Sequence, residues 1–171
     1  MADVLADLEA MIADMSAEQI AELDTILAEE LAQPWLPTPG PQTNAYLSKA
    51  DLLLYGGAAG GGKTDLIVGL ALTAHKRTVV FRRAYGDLKG IAERLEEIVG
   101  SAGLRQQPPR YKRGGILIEF GALEAPKSEM AWQGIAHDLI CFDEGAQLTA
   151  AKVQFVMGWL RSGAPGHEVR G

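Results

Sequence analysis

The sequence predicts an α/β fold: a parallel sheet flanked by helices and preceded by a helical segment. Two observations predict it. Short apolar runs (DLLLY at 51–55, TVVFR at 78–82, DLICF at 138–142) alternate with longer helical patterns. Strand–helix alternation of this kind gives a parallel sheet covered on both faces. A glycine-rich stretch, GGAAGGGKT at 56–64, separates the first apolar run from the first helical pattern.

The 171 residues suffice for one domain of ordinary size. A single cysteine, Cys141, rules out an internal disulfide and suits a reducing compartment. No apolar run approaches the roughly 20 residues of a membrane helix. The acidic start, MADVLADLEAMIADM, is unlike a secretory signal, so no targeting segment is expected. The net charge of −6 is unevenly spread. Residues 1–32 hold nine acids and no Lys or Arg; the remainder holds 13 acids and all 16 bases. The body's charge therefore permits a nucleic-acid partner without demanding one.

Residues 3–32 read as helix. Val4, Leu5, Leu8, Met11, Ile12 and Met15 recur at helical spacing. Ser16 and Gln19 form a capping box that starts a second helix, with Ile20, Leu23, Ile26, Leu27 and Leu31 on its apolar face. This acidic segment, 1–32, packs on the body or docks to another protein. The prolines of QPWLPTPGPQ make 33–50 a linker into the core at 51–171. Residues 51–55 are too short for a helix and read as a buried strand. A helix is expected over 63–76, a strand over 78–82 and a helix over 87–100 ending at Gly100. Residues 111–120 read as a hairpin turning at Gly114-Gly115. A third buried strand is expected at 138–142, then a helix over 149–162 starting at Thr149. There is no internal repeat.

Gly57-Ala58-Ala59-Gly60-Gly61-Gly62-Lys63-Thr64 fits G-x-x-x-x-G-K-[ST], the phosphate-binding loop. Bare glycine backbone lets successive N–H groups converge on an anion, and the following helix adds its positive end. In this reading Lys63 reaches the β- and γ-phosphates, and the Thr64 hydroxyl ligates Mg²⁺. The run LICFDE at 139–144 delivers Asp143 and Glu144 at the end of a buried strand. Asp143 would hold Mg²⁺ through water, and Glu144 would orient and polarise the attacking water. Acids so placed favour hydrolysis. The same residues, read blandly, are a glycine-rich turn and two exposed turn acids.

Other residues carry weaker signals. Arg82 and Arg83 follow the second strand; either could sense the γ-phosphate, act on a neighbouring subunit's site, contact DNA phosphate or form a surface ion pair. Arg105, Arg110, Lys112 and Arg113 cluster around the hairpin and could touch a nucleic-acid backbone or simply be solvated. Gln42 could read an adenine edge by paired hydrogen bonds or sit in a turn. His75, His137 and His167 lack metal-ligand spacing, Cys141 reads as core, and Trp35, Trp132 and Trp159 form no stacking platform.

Taken together, PGPQ before LLLYGGAAGGGKT, then FRRAYGDLKG, WQGIAHDLICFDE and FVMGWLRS resemble the ATPase part of tailed-phage terminase large subunits over about residues 36–163. That family couples ATP hydrolysis to translocation of double-stranded DNA into a procapsid, and cuts DNA with a separate nuclease domain. The resemblance implies a P-loop NTPase fold with ATP and Mg²⁺ as cofactors. It makes Gly57 to Thr64 the Walker A loop, Asp143 the Walker B metal residue and Glu144 the catalytic glutamate. Lys63 and Arg83 join Glu144 as catalytic candidates, and Gln42 matches the adenine-contacting position. It further implies double-stranded DNA, a terminase small subunit and a portal protein as partners, homo-oligomerisation at full length, the host cytoplasm as location and no membrane. The family's core continues into another strand with a coupling motif and then a nuclease. This chain stops before both, so a truncated frame or fragment is expected. The rival expectations are a nucleotide-binding remnant without turnover and another DNA-stimulated ATPase of helicase-like type.

Overall fold

The computed structural model describes residues 11–58 and 60–161. The expectations for residues 1–10, Ala59 and 162–171 lie outside the described residues. The chain divides into two compact units, residues 1–36 and 37–171.

In the first unit, helix α1 spans Ala17–Leu31. Its start is the expected capping box. The Ser16 N–H donates to Gln19 Oε1 at 2.8 Å, and the Gln19 N–H donates to Ser16 Oγ at 3.2 Å. Each side chain thus satisfies a backbone donor that the first turn leaves unpaired.

The second unit is α/β. Five strands, β1 (Arg77–Arg82), β2 (Leu104–Gln106), β3 (Pro109–Arg113), β4 (Ile116–Ala122) and β5 (Leu139–Phe142), form one sheet in the order β2-β3-β4-β1-β5. The sheet is mixed, which corrects the expectation of a parallel sheet: the expected hairpin at 111–120 is part of it. β1 runs parallel to both β4 and β5, while β2–β3 and β3–β4 are antiparallel. The cause is the tight Gly114-Gly115 turn, with φ of 58° and 82°, which reverses the chain between β3 and β4. β4 then lies beside β1 at the centre.

Among the described residues this unit has four α-helices: α2 (Pro41–Leu47), α3 (Lys63–Thr73), α4 (Lys89–Val99) and α5 (Ala150–Met157). α2 falls inside the stretch expected as a linker. Proline at its first position costs no hydrogen bond there, because that N–H has no intrahelical partner. α3 and α4 cover one face of the sheet. Val68, Leu72, Ile91 and Leu95 pack with Val80, Ile118 and Phe120 in a continuous core. The opposite face holds Val79, Phe81, Ile140 and Val156 with Trp132 and Phe142. Alternation along β1 sends Val80 to the first face and Val79 and Phe81 to the second. On that second face Gly121 admits no side chain: a Cβ there would come within 2.5 Å of both the Phe81 and Trp132 rings.

Residues 51–55 form no strand, against expectation. Leu52, Leu53 and Leu54 are 66%, 40% and 94% exposed. An isolated apolar run becomes a strand only where a neighbour's backbone receives it, and this run pairs with none of the described strands.

Candidate functional site

The glycine-rich loop leads directly into α3. Gly62 caps the helix in left-handed conformation, φ 69°. The left-handed φ favours glycine, and a Cβ there would displace Gln42 Nε2, 2.7 Å away. Gln42 is 3% exposed and ties the loop to the preceding segment. Its Nε2 donates to the Gly62 carbonyl at 3.0 Å, while its Oε1 accepts from the Thr38 N–H at 2.6 Å and the Thr38 hydroxyl at 2.8 Å. The acceptor half of its amide is thereby engaged, and pairing with an adenine edge would require Thr38 to release it. Lys63 folds back over the loop, donating to the carbonyls of Gly57 at 2.9 Å and Ala58 at 2.7 Å. The Tyr55 hydroxyl donates to the Gly61 carbonyl at 3.2 Å. The carbonyls of Gly57, Ala58, Gly61 and Gly62 are thus held by the side chains of Lys63, Tyr55 and Gln42.

The acids are placed by the sheet. Phe142 is level with Phe81, and the Asp143 N–H donates to the Phe81 carbonyl at 2.9 Å. Asp143 is 5% exposed. Its charge is met by Arg82, the last residue of β1, whose Nε donates to Asp143 Oδ2 at 2.7 Å and whose Nη2 reaches the same oxygen. Arg82 Nη1 donates to the Asp87 carbonyl at 2.8 Å, and Nη2 lies 3.7 Å from Glu144 Oε1. Glu144 adopts a left-handed backbone, φ 54° and ψ 42°. Non-glycine residues rarely sit there, and strain of this kind concentrates at functional turns. The Glu144 carboxylate accepts from Gln147 Nε2 at 2.7 Å.

Lys63, Asp143 and Glu144 line one cavity of about 580 Å³, together with Tyr55, Leu66 and Cys141. That volume is in the roughly 300–1,000 Å³ range of small-molecule sites. The exposed leucines 52–54 also line it. Burial, then the Asp143 charge, push the Cys141 thiol up to about 12, so it supplies no thiolate at neutral pH. Thr64 is the second residue of α3 and is partly buried. Among the described residues no cluster of three His, Cys, Asp or Glu side chains could hold a metal alone. Mg²⁺ at phosphate sites needs no such cage: it takes one or two protein oxygens and completes its shell with phosphates and water. The hydroxyl of Thr64 and the carboxylates of Asp143 and Glu144 are hard donors of the right kind.

Other sequence candidates lie elsewhere. Arg83 is exposed and pairs with Glu124 at 3.0 Å, so it is Arg82, its neighbour, that meets the acids. Arg105 and Arg110 face each other across β2 and β3, and Arg110 Nε is 3.6 Å from Glu119. Lys112 and Arg113 are exposed.

Two acids, one buried and one partly buried, escaped the sequence reading. Asp138, 4% exposed, accepts from the backbone N–H groups of Lys76 and Arg77, both at 2.9 Å. It pins the entry of β5 to the entry of β1 and so sets the register that delivers Asp143. Glu119 Oε2 lies 3.1 Å from Nε2 of buried His137. The hydrogen bond to His137 holds the Glu119 carboxyl below its usual 4.5, against the opposing effect of burial. A polar residue beginning an apolar run was the available signal for Asp138; nothing local announced the partners, which lie 61 and 62 positions away.

The chain matches no protein-family profile, no curated protein and no solved structure. No described helix is long and apolar enough to cross a membrane.

Proposed function

We propose that this chain is a P-loop ATPase, the nucleotide-hydrolysing motor part of a DNA-packaging machine of the tailed-phage terminase large-subunit type, acting in the host cytoplasm. One observation carries the reading: Lys63 and the acid pair Asp143-Glu144, 80 positions apart in sequence, line the same cavity. A phosphate-binding lysine and strand-end carboxylates are the two halves of a nucleoside-triphosphatase site. Backbone N–H groups of residues 57–62 and the positive end of α3 bind the triphosphate. Lys63 leaves the Gly57 and Ala58 carbonyls to reach the β- and γ-phosphates. Thr64 and Asp143 would hold Mg²⁺, which would neutralise phosphate charge. Glu144 orients the attacking water and accepts its proton. Double-stranded DNA, a small subunit, a portal and further copies of the large subunit are the partners of this reading, with Arg105, Lys112 and Arg113 available to meet DNA phosphate.

Steady-state hydrolysis tests it. Glu144→Gln should retain nucleotide binding and lose about 10²–10⁴-fold in turnover, the usual contribution of a positioned general base. Equal rates in wild type and variant would refute the mechanism.

A second reading, nucleotide binding without turnover, is favoured by Lys63 being engaged by its own loop and by the unpaired leucines beside it. Repeated turnovers by pure protein would exclude it.

A further inference from the structure

Arg82 stands out because the proposed chemistry does not use it, yet it touches every part of the acid end. All three of its guanidinium nitrogens are occupied: Nε and Nη2 on a single oxygen of Asp143, Nη2 within 3.7 Å of Glu144, and Nη1 on the Asp87 carbonyl. Asp143 and Arg82 are largely withdrawn from water, with side chains 6% and 19% exposed. Screening between them is correspondingly weak. Both contacts fall on Oδ2, so the Nε/Nη2 edge of the guanidinium grips one carboxylate oxygen. It holds that oxygen and supplies one full positive charge beside two negative ones.

We infer that Arg82 makes divalent-cation binding at the acid end conditional on nucleotide. The inference rests on the nucleotide reading above. With Arg82 in place, Asp143 and Glu144 carry a net charge of about −1, and a doubly charged ion approaching them is also repelled by the guanidinium at short range. A triphosphate held at Lys63 would add several negative charges facing the acids across the shared cavity, restoring the attraction and supplying ligands. Mg²⁺ therefore enters with the nucleotide rather than ahead of it. Arg82 acts through Asp143 and Glu144, so it is a positioning residue.

The test uses Mn²⁺ as a paramagnetic stand-in for Mg²⁺, titrated into the full chain at pH 8 without nucleotide and followed by the signal of free Mn²⁺. Arg82→Gln should bind Mn²⁺ about tenfold or more tighter than wild type. Arg82→Lys, which keeps the charge, should stay within about threefold of wild type. In the presence of ATP the gap between wild type and Arg82→Gln should shrink. Arg82→Met keeps the packing of the aliphatic stem and replaces the Gln variant if circular dichroism shows the latter unfolded. Unchanged or weaker Mn²⁺ binding in a folded neutral variant would overturn the inference, since a merely structural arginine leaves the acids less well ordered when removed. Equilibrium dialysis with ATP separates the two levels: wild type failing to bind ATP defeats the nucleotide reading, while the nucleotide-free Mn²⁺ comparison still decides whether Arg82 masks the acids.

Discussion

The two sides of the candidate site are held by different means. The acids follow a strand whose position is dictated by neighbours: β5 pairs with β1 over four residues, Asp138 clamps its entry, and the Asp143 N–H bonds to β1 at its exit. The glycine loop has no such scaffold before it. Residues 51–55 pair with no described strand, and the loop is tied down by three side chains, those of Gln42, Tyr55 and Lys63. A sheet-borne group is placed by many backbone bonds that form together. A side-chain-tethered loop is placed by a few, and one of those, Lys63, is the group that chemistry would need to move. Catalytic carboxylates tolerate little displacement, whereas a phosphate loop must open to its ligand and close on it. Under the proposed reading, the contrast matches rigidity to the acids and adaptability to the phosphate-binding loop.

Breaking the rigid side should cost most. Asp138→Ala removes a buried acceptor of two backbone N–H groups and should lower unfolding free energy by about 2–3 kcal/mol in urea titrations. A loss under 0.5 kcal/mol would mean that β5 keeps its register without the clamp. On the loop side, Gln42→Leu leaves Thr38 and the Gly62 carbonyl without their partner and should cost about 1–2 kcal/mol. Its sharper signature is local: amide exchange should accelerate over 56–62 and stay unchanged over 139–142. Equal acceleration in both regions would erase the distinction drawn between them.

The pH dependence of stability probes the sheet from its other face. Since the folded-state pKa of Glu119 is lowered, its contact with His137 stabilises the fold above the unfolded-state value and is lost as pH falls below about 4.5. Glu119→Gln should therefore flatten the decline of melting temperature between about pH 5 and pH 3. An unaltered decline would show that other carboxylates govern acid unfolding. The smallest effect is expected at Leu54, 94% exposed. Leu54→Ser should change stability by no more than about 0.5 kcal/mol. A loss above 1 kcal/mol would show residues 51–55 packed as a strand after all.

The same contrast explains what could be read in advance. Features set by near neighbours were legible. Ser16 and Gln19 capped a helix as their spacing implied, the paired glycines 114–115 turned a hairpin, and a β-rich apolar run at 78–82 became β1. Features set by distant partners were not. Three consecutive leucines at 52–54 have the composition of a buried strand, but whether a strand forms depends on an edge that composition does not reveal. The three-residue β2, with the sequence LRQ, carries no apolar run and exists because β3 pairs with it. The candidate site divides the same way. Lys63, Asp143 and Glu144 were visible as motif residues. The arginine at the acids was not: Arg82 and Arg83 are adjacent and chemically identical, and only the alternation of β1 decides which of them turns toward Asp143.

The central claim is that the bare backbone of 57–62 and the Lys63 ammonium grip a triphosphate. Isothermal calorimetry of MgATP into wild type and Lys63→Ala addresses it without relying on turnover. The account predicts saturable one-site heat for wild type, and an affinity weaker by about 100-fold, or no detectable heat, for the variant. Identical isotherms for the two proteins, or no heat from folded wild type, would contradict it.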